Sequence, residues 1–194
     1  MNNIAIFASG NGTNAEALIL HFKNHPSIRV SLVLSNKPGA YALERAKRHA
    51  IPTLVFDKQQ FFHSDEIEKK LDSCGISFIV LAGFLWLIPD GLLRKYQGRI
   101  VNIHPALLPS YGGKGMYGMR VHEAVAANHD RESGITIHYV DSVYDHGDII
   151  FQARCNVDPA DTPGMIAEKV HKLEYEHYPR VVEELLNRGE FNVS

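Results

Sequence analysis

"NIAIFASGNGTNAEALILHF", residues 3–22, moves from one backbone regime to another within twenty positions. Ile4 to Ala8 is an unbroken apolar run, as in a strand covered on both faces. Gly10 and Gly12 interrupt it, and Ala15, Leu18, Ile19 and Phe22 then recur at the spacing of one helical stripe. A strand, a glycine turn and an amphipathic helix in that order form the first half of a βαβ unit, which predicts a parallel sheet.

The remaining chain repeats the pattern. Apolar runs recur at "RVSLVLS" (29–35), "PTLVF" (52–56), "SFIVLAG" (77–83), "RIVNIH" (99–104), "GITIHYV" (134–140) and "IIFQARCNV" (149–157). The helical segments "YALERAKRHA" (41–50) and "SDEIEKKLDSCG" (64–75) separate the early ones, the second with Ser64 as N-cap and Gly75 as its stop. Thr162 and Pro163 open a long helix reaching Leu186, broken or bent at Pro179. The last two strand runs flank "DSVYDHGD" (141–148) as a hairpin or meander, so the sheet is expected to gain a later antiparallel extension. We read one α/β domain over 1–194, an N-terminal half to about residue 100 and a C-terminal half from about 101.

At 45% hydrophobic residues the chain can fill a core, and a net charge of −2, from 20 basic and 22 acidic residues without long blocks, calls for no nucleic-acid partner. The longest apolar run, 76–89, is too short to span a bilayer, and a soluble cytoplasmic protein without a membrane partner is expected. Cys74 and Cys155 share no redox or metal spacing. Small-molecule chemistry is the default reading.

Three motifs carry that chemistry. In the opening stretch the backbone N–H groups of Gly12, Thr13 and Asn14 stand at a helix N-terminus, where they can hold a phosphate; the plainer reading is a tight turn capped by Thr13 or Asn14. Gly10, Gly12 and Ala15 also satisfy a relaxed dinucleotide fingerprint, but "SNKPG" (35–39) lacks the acidic residue that would hold a ribose, and Asn36 and Lys37 read better as a second wall of an anion site. In "RIVNIHPALLP" strand alternation puts Asn102 and His104 on one face at the carboxyl edge of the sheet, before Pro105 ends the ladder. An amide donor beside an imidazole suits an oxyanion on a carbonyl carbon under attack, although both side chains could simply satisfy loop carbonyls. The polar loop offers Asp141, Asp145, His146 and Asp148, any of whose carboxylates could orient His104, raise its pKa or pass a proton. No nucleophile elbow is present, and His171 and His177 lack the i, i+4 spacing of paired metal ligands, so direct transfer without a metal is expected.

With "SGNGTN", "LAGF", "NIHPALLP" and "HYVDSVYDHGDII" in this order, the chain resembles the phosphoribosylglycinamide formyltransferases, folate-dependent enzymes of purine synthesis. The resemblance implies a Rossmann-like formyltransferase fold in which glycinamide ribonucleotide takes the formyl group of 10-formyltetrahydrofolate. It implies that Asn102 and His104 stabilise the oxyanion, that Asp145 assists His104, and that Gly12, Thr13 and Asn14 hold the ribonucleotide phosphate with Glu174 on its sugar or glycinamide part. The folate ring would lie along Leu85, Trp86, Leu87 and Ile88 and the loop from Asp141 to Asp145, beside Asn102. Trp86 stands where such enzymes commonly have arginine, Ala106 where serine is usual, and the loop 111–118, with Lys114, is longer than usual. Monomers and homodimers are both compatible. Hydrolysis of 10-formyltetrahydrofolate, formyl transfer to another amine and non-catalytic binding of folate or nucleotide are the alternatives.

Overall fold

In the computed structural model, which describes residues 1–189, the opening apolar run is β1 (Asn2–Phe7), near the middle of a seven-stranded sheet. Chain order is β1, α1 (Thr13–Phe22), β2 (Ile28–Ser35), α2 (Tyr41–Arg48), β3 (Thr53–Val55), α3 (Lys58–Phe62), α4 (Glu66–Ser73), β4 (Ile76–Leu81), α5 (Asp90–Lys95), β5 (Ile100–His104), α6 (Met119–Ala127), β6 (Glu132–Tyr139), β7 (Ile149–Asn156) and α7 (Pro163–Arg188). Across the sheet the order is β3-β2-β1-β4-β5-β6-β7. The first five strands pair in parallel, and β6 and β7 add on antiparallel. All seven expected strands form, in a Rossmann-like sheet with an antiparallel extension. Residues 190–194, included in the single-domain expectation, lie outside the described residues.

Strand alternation sorts the core into two layers. Ile4, Ile6, Val30, Phe78, Val80, Val101 and Ile103 face α1, α6 and α7, while Ala5, Phe7, Leu32, Leu34, Ile79, Leu81 and Ile100 face α3, α4 and α5. The predicted stripe Ala15, Leu18, Ile19 and Phe22 is the buried face of α1. The last helix is sealed to the sheet by Tyr178, whose buried hydroxyl donates to the carbonyls of Leu81 (2.8 Å) and Val101 (3.3 Å).

One local expectation is corrected, and one is narrowed. The N-cap of α4 is Asp65, and Ser64 sits one residue earlier, its hydroxyl donating to the Gln60 carbonyl (2.9 Å). The closing helix is not broken at Pro179: α7 continues for 26 residues, capped by Thr162 accepting from the Met165 N–H (3.3 Å). Burial of Tyr178, Pro179, Val181 and Val182 against the sheet offsets the missing backbone hydrogen bond. Among the described residues, no helix is long and apolar enough to cross a membrane.

The sequence of neighbours reverses between β1 and β4, and it is at the carboxyl ends of such strands that open α/β sheets bind ligands. There the loop after β1 meets the loop after β4, Ser9 N–H donating to the Gly83 carbonyl (3.0 Å). Gly12 closes the first loop with φ +74°, and a Cβ at this position would lie 2.4 Å from Ala42 Cβ, so α2 can approach only a glycine.

Candidate active site

A cavity of about 600 Å³ opens along these carboxyl ends. One end is walled by Gly10 to Asn14 with Lys37, and the middle by Asn102, His104 and Asp145. His122, His171 and Glu174 line it from α6 and α7, Lys114 from the glycine-rich loop and Arg120 from the start of α6.

At the helix end, Asn14 donates its amide to Glu174 (3.0 Å), joining α1 to α7, while Asn14 Oδ1 is buried without a partner. Burial pushes the Glu174 carboxyl up to about 7, against the downward pull of the Asn14 amide. His171 lies one helical turn before Glu174, with its ring edge-on to His122, 6.2 Å between centroids. Burial, with His171 and His104 nearby, lowers His122 to about 4. Asn36 stands behind this wall, accepting from the Ser9 hydroxyl (2.7 Å), which in turn accepts from the Leu85 N–H (3.1 Å).

The middle of the cavity is built on β5 and β6. Thr136 fixes the exit from β5, its hydroxyl donating to the Ala106 carbonyl (2.7 Å) and accepting from the Leu108 N–H (2.9 Å). His104 Nε2–H donates to the Tyr111 carbonyl (2.7 Å), which can only accept. Its Nδ1 is therefore the free nitrogen, 3.5 Å from Asp145 Oδ1. Burial lowers the pKa of His104 below its ordinary value, although Asp145 and the Tyr111 carbonyl push it up. A loop carboxylate does raise it, as expected, but desolvation of the imidazolium outweighs the charge beside it. Burial raises the Asp145 carboxyl, but contacts with His138, His104 and the Gly113 N–H (2.9 Å) together hold it below its ordinary value.

Sequence reasoning missed His138. The β5–β6 register sets it opposite Asn102. Its Nδ1–H donates to the Tyr139 carbonyl (2.7 Å), so the neutral ring accepts at Nε2 from the Asn102 amide (3.1 Å). One Asn102 N–H is thereby oriented and the other is left for a ligand. The available signal was a histidine inside a β-branched run, on the strand most apt to pair with that of Asn102.

Of the three loop aspartates, Asp145 is brought to His104. Asp141 is turned away, accepting from the Val143 N–H (2.8 Å) and pairing with His146 (2.8 Å). Asp148 holds the hairpin through its backbone carbonyl, which accepts from Tyr139 N–H (2.9 Å). Along the Leu85 to Ile88 run, Leu85 alone lines the cavity, and its carbonyl accepts from the Tyr144 hydroxyl (3.3 Å). Trp86 packs among Phe56, Phe61, Phe62 and Phe84, and Ile88 is buried in the same layer. Leu87 lies outside the cavity. No group of three or more His, Cys, Asp or Glu side chains that could hold a metal ion is found among the described residues.

Residues 2–182 match the profile of a family described as formyl transferase. The chain is 38% identical to a phosphoribosylglycinamide formyltransferase of Bacillus subtilis (strain 168), covering 98% of this chain and 99% of that protein. It is 36% identical to one from Haemophilus influenzae, over 94% and 86% respectively. Among solved structures, a phosphoribosylglycinamide formyltransferase from Bacillus halodurans superposes with a TM-score of 0.86 at 38% identity, covering 97% of both chains. A glycinamide ribonucleotide transformylase 1 from Geobacillus kaustophilus gives 0.86 at 37%, covering 96% of this chain and 99% of that one.

Proposed function

The chain belongs to the formyl transferase family, and from that premise we propose that it transfers the formyl group of 10-formyltetrahydrofolate to the amine of N1-(5-phospho-D-ribosyl)glycinamide, as a step of purine synthesis. The observation that carries this reading is one cavity with a helix N-terminus at one end and an amide, imidazole and carboxylate at its middle.

The ribonucleotide phosphate binds the N–H groups of Gly12, Thr13 and Asn14, where the dipole of α1 favours an anion, with Lys37 supplying countercharge. Glu174 accepts from the sugar or glycinamide part. The folate ring enters past Leu85 and the loop from Asp141 to Asp145. Trp86, Leu87 and Ile88 set the course of the backbone there rather than forming a slot with their side chains.

The neutral amine attacks the formyl carbon, forming a C–N bond and pushing the carbonyl electron pair onto oxygen. The free N–H of Asn102 donates to this oxyanion, while His104 Nδ1 takes the proton that the attacking nitrogen sheds and as an imidazolium adds positive charge beside it. Asp145 stabilises that imidazolium and helps pass the same proton on to N10 of the folate; the oxyanion then re-forms the carbonyl as the bond from carbon to N10 breaks. The direct transfer uses no metal. Residues 1 to about 100 act as the phosphate-binding half of one domain, and the remainder as the catalytic and folate-binding half.

The test follows tetrahydrofolate production by absorbance, with and without the ribonucleotide. Acceptor-dependent product with no free formate is expected. Equal product and free formate without acceptor would instead make the protein a hydrolase, and no product in either case would overturn the reading.

A further inference from the structure

We infer that Tyr111 is a positioning residue for the His104–Asp145 pair, acting through its main-chain carbonyl and held in place by its side-chain hydroxyl on Asp130. The turn from Tyr111 to Gly113 grips both members of the pair. At its start the Tyr111 carbonyl accepts from His104 Nε2–H (2.7 Å), and two residues later the Gly113 N–H donates to Asp145 Oδ2 (2.9 Å). The acceptor meets the ring that must become cationic and the donor meets the carboxylate, so one short segment fixes both orientations and keeps the lone pair of neutral His104 on Nδ1, facing Asp145. The turn also lies hard against its neighbours: a Cβ at Gly112 would come 2.6 Å from Leu108 Cδ2 and 3.4 Å from Asp145 Cβ.

This geometry does not hold itself. Tyr111 has φ +57°, a left-handed conformation that a bulky L-residue keeps only where its surroundings impose it. The Tyr111 hydroxyl makes a short hydrogen bond to Asp130 Oδ2, and Asp130 Oδ1 accepts from the Asn128 amide (2.9 Å), tying the ring to the turn between α6 and β6. Beside the anchor lies a second cavity of about 410 Å³, lined by Tyr111, Asp130 and Ser133, into which the ring can shift once the hydroxyl is released. His104 is faced by Asp145 from the β6–β7 loop, by His138 from β6 and by His122 from α6, and the first of these together with the Tyr111 carbonyl favours its protonated form. Loosening the tether therefore moves its titration downward.

The inference deepens the proposed formyl transfer, and the experiment separates the two. Tyr111→Phe is compared with wild type in the kcat–pH profile and, on ligand-free protein, in the 15N shifts of the His104 ring. A kcat loss of about tenfold is expected, with KM for both substrates within about twofold, because reacting groups rather than binding groups are displaced. The acid limb and the His104 titration should fall by about half a pH unit, and the ring should lose its single Nε2–H tautomer. Asp130→Asn keeps an acceptor for the Tyr111 hydroxyl and should retain most of the wild-type kcat, whereas Asp130→Ala should match Tyr111→Phe, the double variant of Asp130→Ala with Tyr111→Phe being no worse than either. An unchanged His104 titration in Tyr111→Phe, or a loss confined to KM, overturns the positioning role. Should that variant fail to fold, Asp130→Ala carries the same decision. A displaced titration in a protein without formyl transfer would overturn the function and leave the tether standing.

Discussion

Replacing Glu174 by Gln should stabilise the protein in alkaline solution and leave it almost unchanged in acid. The carboxyl is 6% exposed and its pKa lies at about 7 instead of its ordinary 4.5, because burial penalises the charged form. A difference of that size corresponds to about 3 kcal/mol. The folded state holds the proton more tightly than the unfolded chain, so this group's contribution is fully present below pH 4.5 and is lost as pH rises towards 7. Glutamine has no such loss, and its carbonyl can still accept from the Asn14 amide that now donates at 3.0 Å. The variant should therefore exceed wild type by about 3 kcal/mol at pH 8 and by under about 1 kcal/mol at pH 5. Urea unfolding at both pH values, with equal m-values, reads the difference directly, and a domain of this size should gain roughly 6–12 °C in Tm at pH 8. His171 and His122 titrate in both proteins, so they largely cancel. A stability difference independent of pH would show that Glu174 titrates alike in the folded and the unfolded chain, and would refute the reasoning. The same variant should bind the ribonucleotide more weakly, the stabilised protein being the poorer enzyme.

Asn102→Ala removes the amide aimed at the oxyanion and should lower kcat about 10²- to 10³-fold with both KM values nearly unchanged; a purely KM effect in steady-state kinetics would contradict that role. His104→Ala should abolish measurable turnover while the circular dichroism spectrum stays that of wild type. Gly12→Ala places a Cβ against Ala42 at φ +74° and should cost about 1–3 kcal/mol in denaturant unfolding, with the ribonucleotide KM rising and the folate KM holding. Tyr178→Phe leaves two carbonyls without their buried donor and should cost about 1–2 kcal/mol by the same measurement, with kcat unaffected.

The sheet was readable because its strands are coded locally: the runs at Ile4, Val30, Phe78 and Val101 are too apolar for any one-sided strand, and the helices between them carry one clear stripe each. Asn102 and His104 were readable for the same reason, as polar residues at alternate positions of a buried strand. What escaped depends on partners far along the chain. His138 matters only because β6 pairs antiparallel with β5; the residues alone left Asp145 level with Asp141, and it was the resemblance that named Asp145, since the difference lies in how the hairpin loop folds back. Trp86 reads as ordinary core from its residues and was set along the folate ring by the resemblance alone; its packing is decided by Phe56, Phe61 and Phe62, 24 to 30 residues upstream. Tyr111 acts through its backbone carbonyl, a group every residue carries, so no side-chain pattern announces it.

The position of α7 bears on the order in which a nascent chain can finish. Ile166, Val170, Val181, Val182, Leu185 and Leu186 cover one layer of a sheet whose first strand precedes them by more than 150 residues. Until α7 is made, the apolar side of β1, β4 and β5 is covered only in part, by α1 and α6, and the cavity lacks Glu174 and His171. At a synthesis rate of roughly 5–20 residues per second the interval lasts several seconds, during which the incomplete sheet is open to aggregation and to chaperone capture. Completion of this core layer and completion of the cavity are therefore a single event, the arrival of α7.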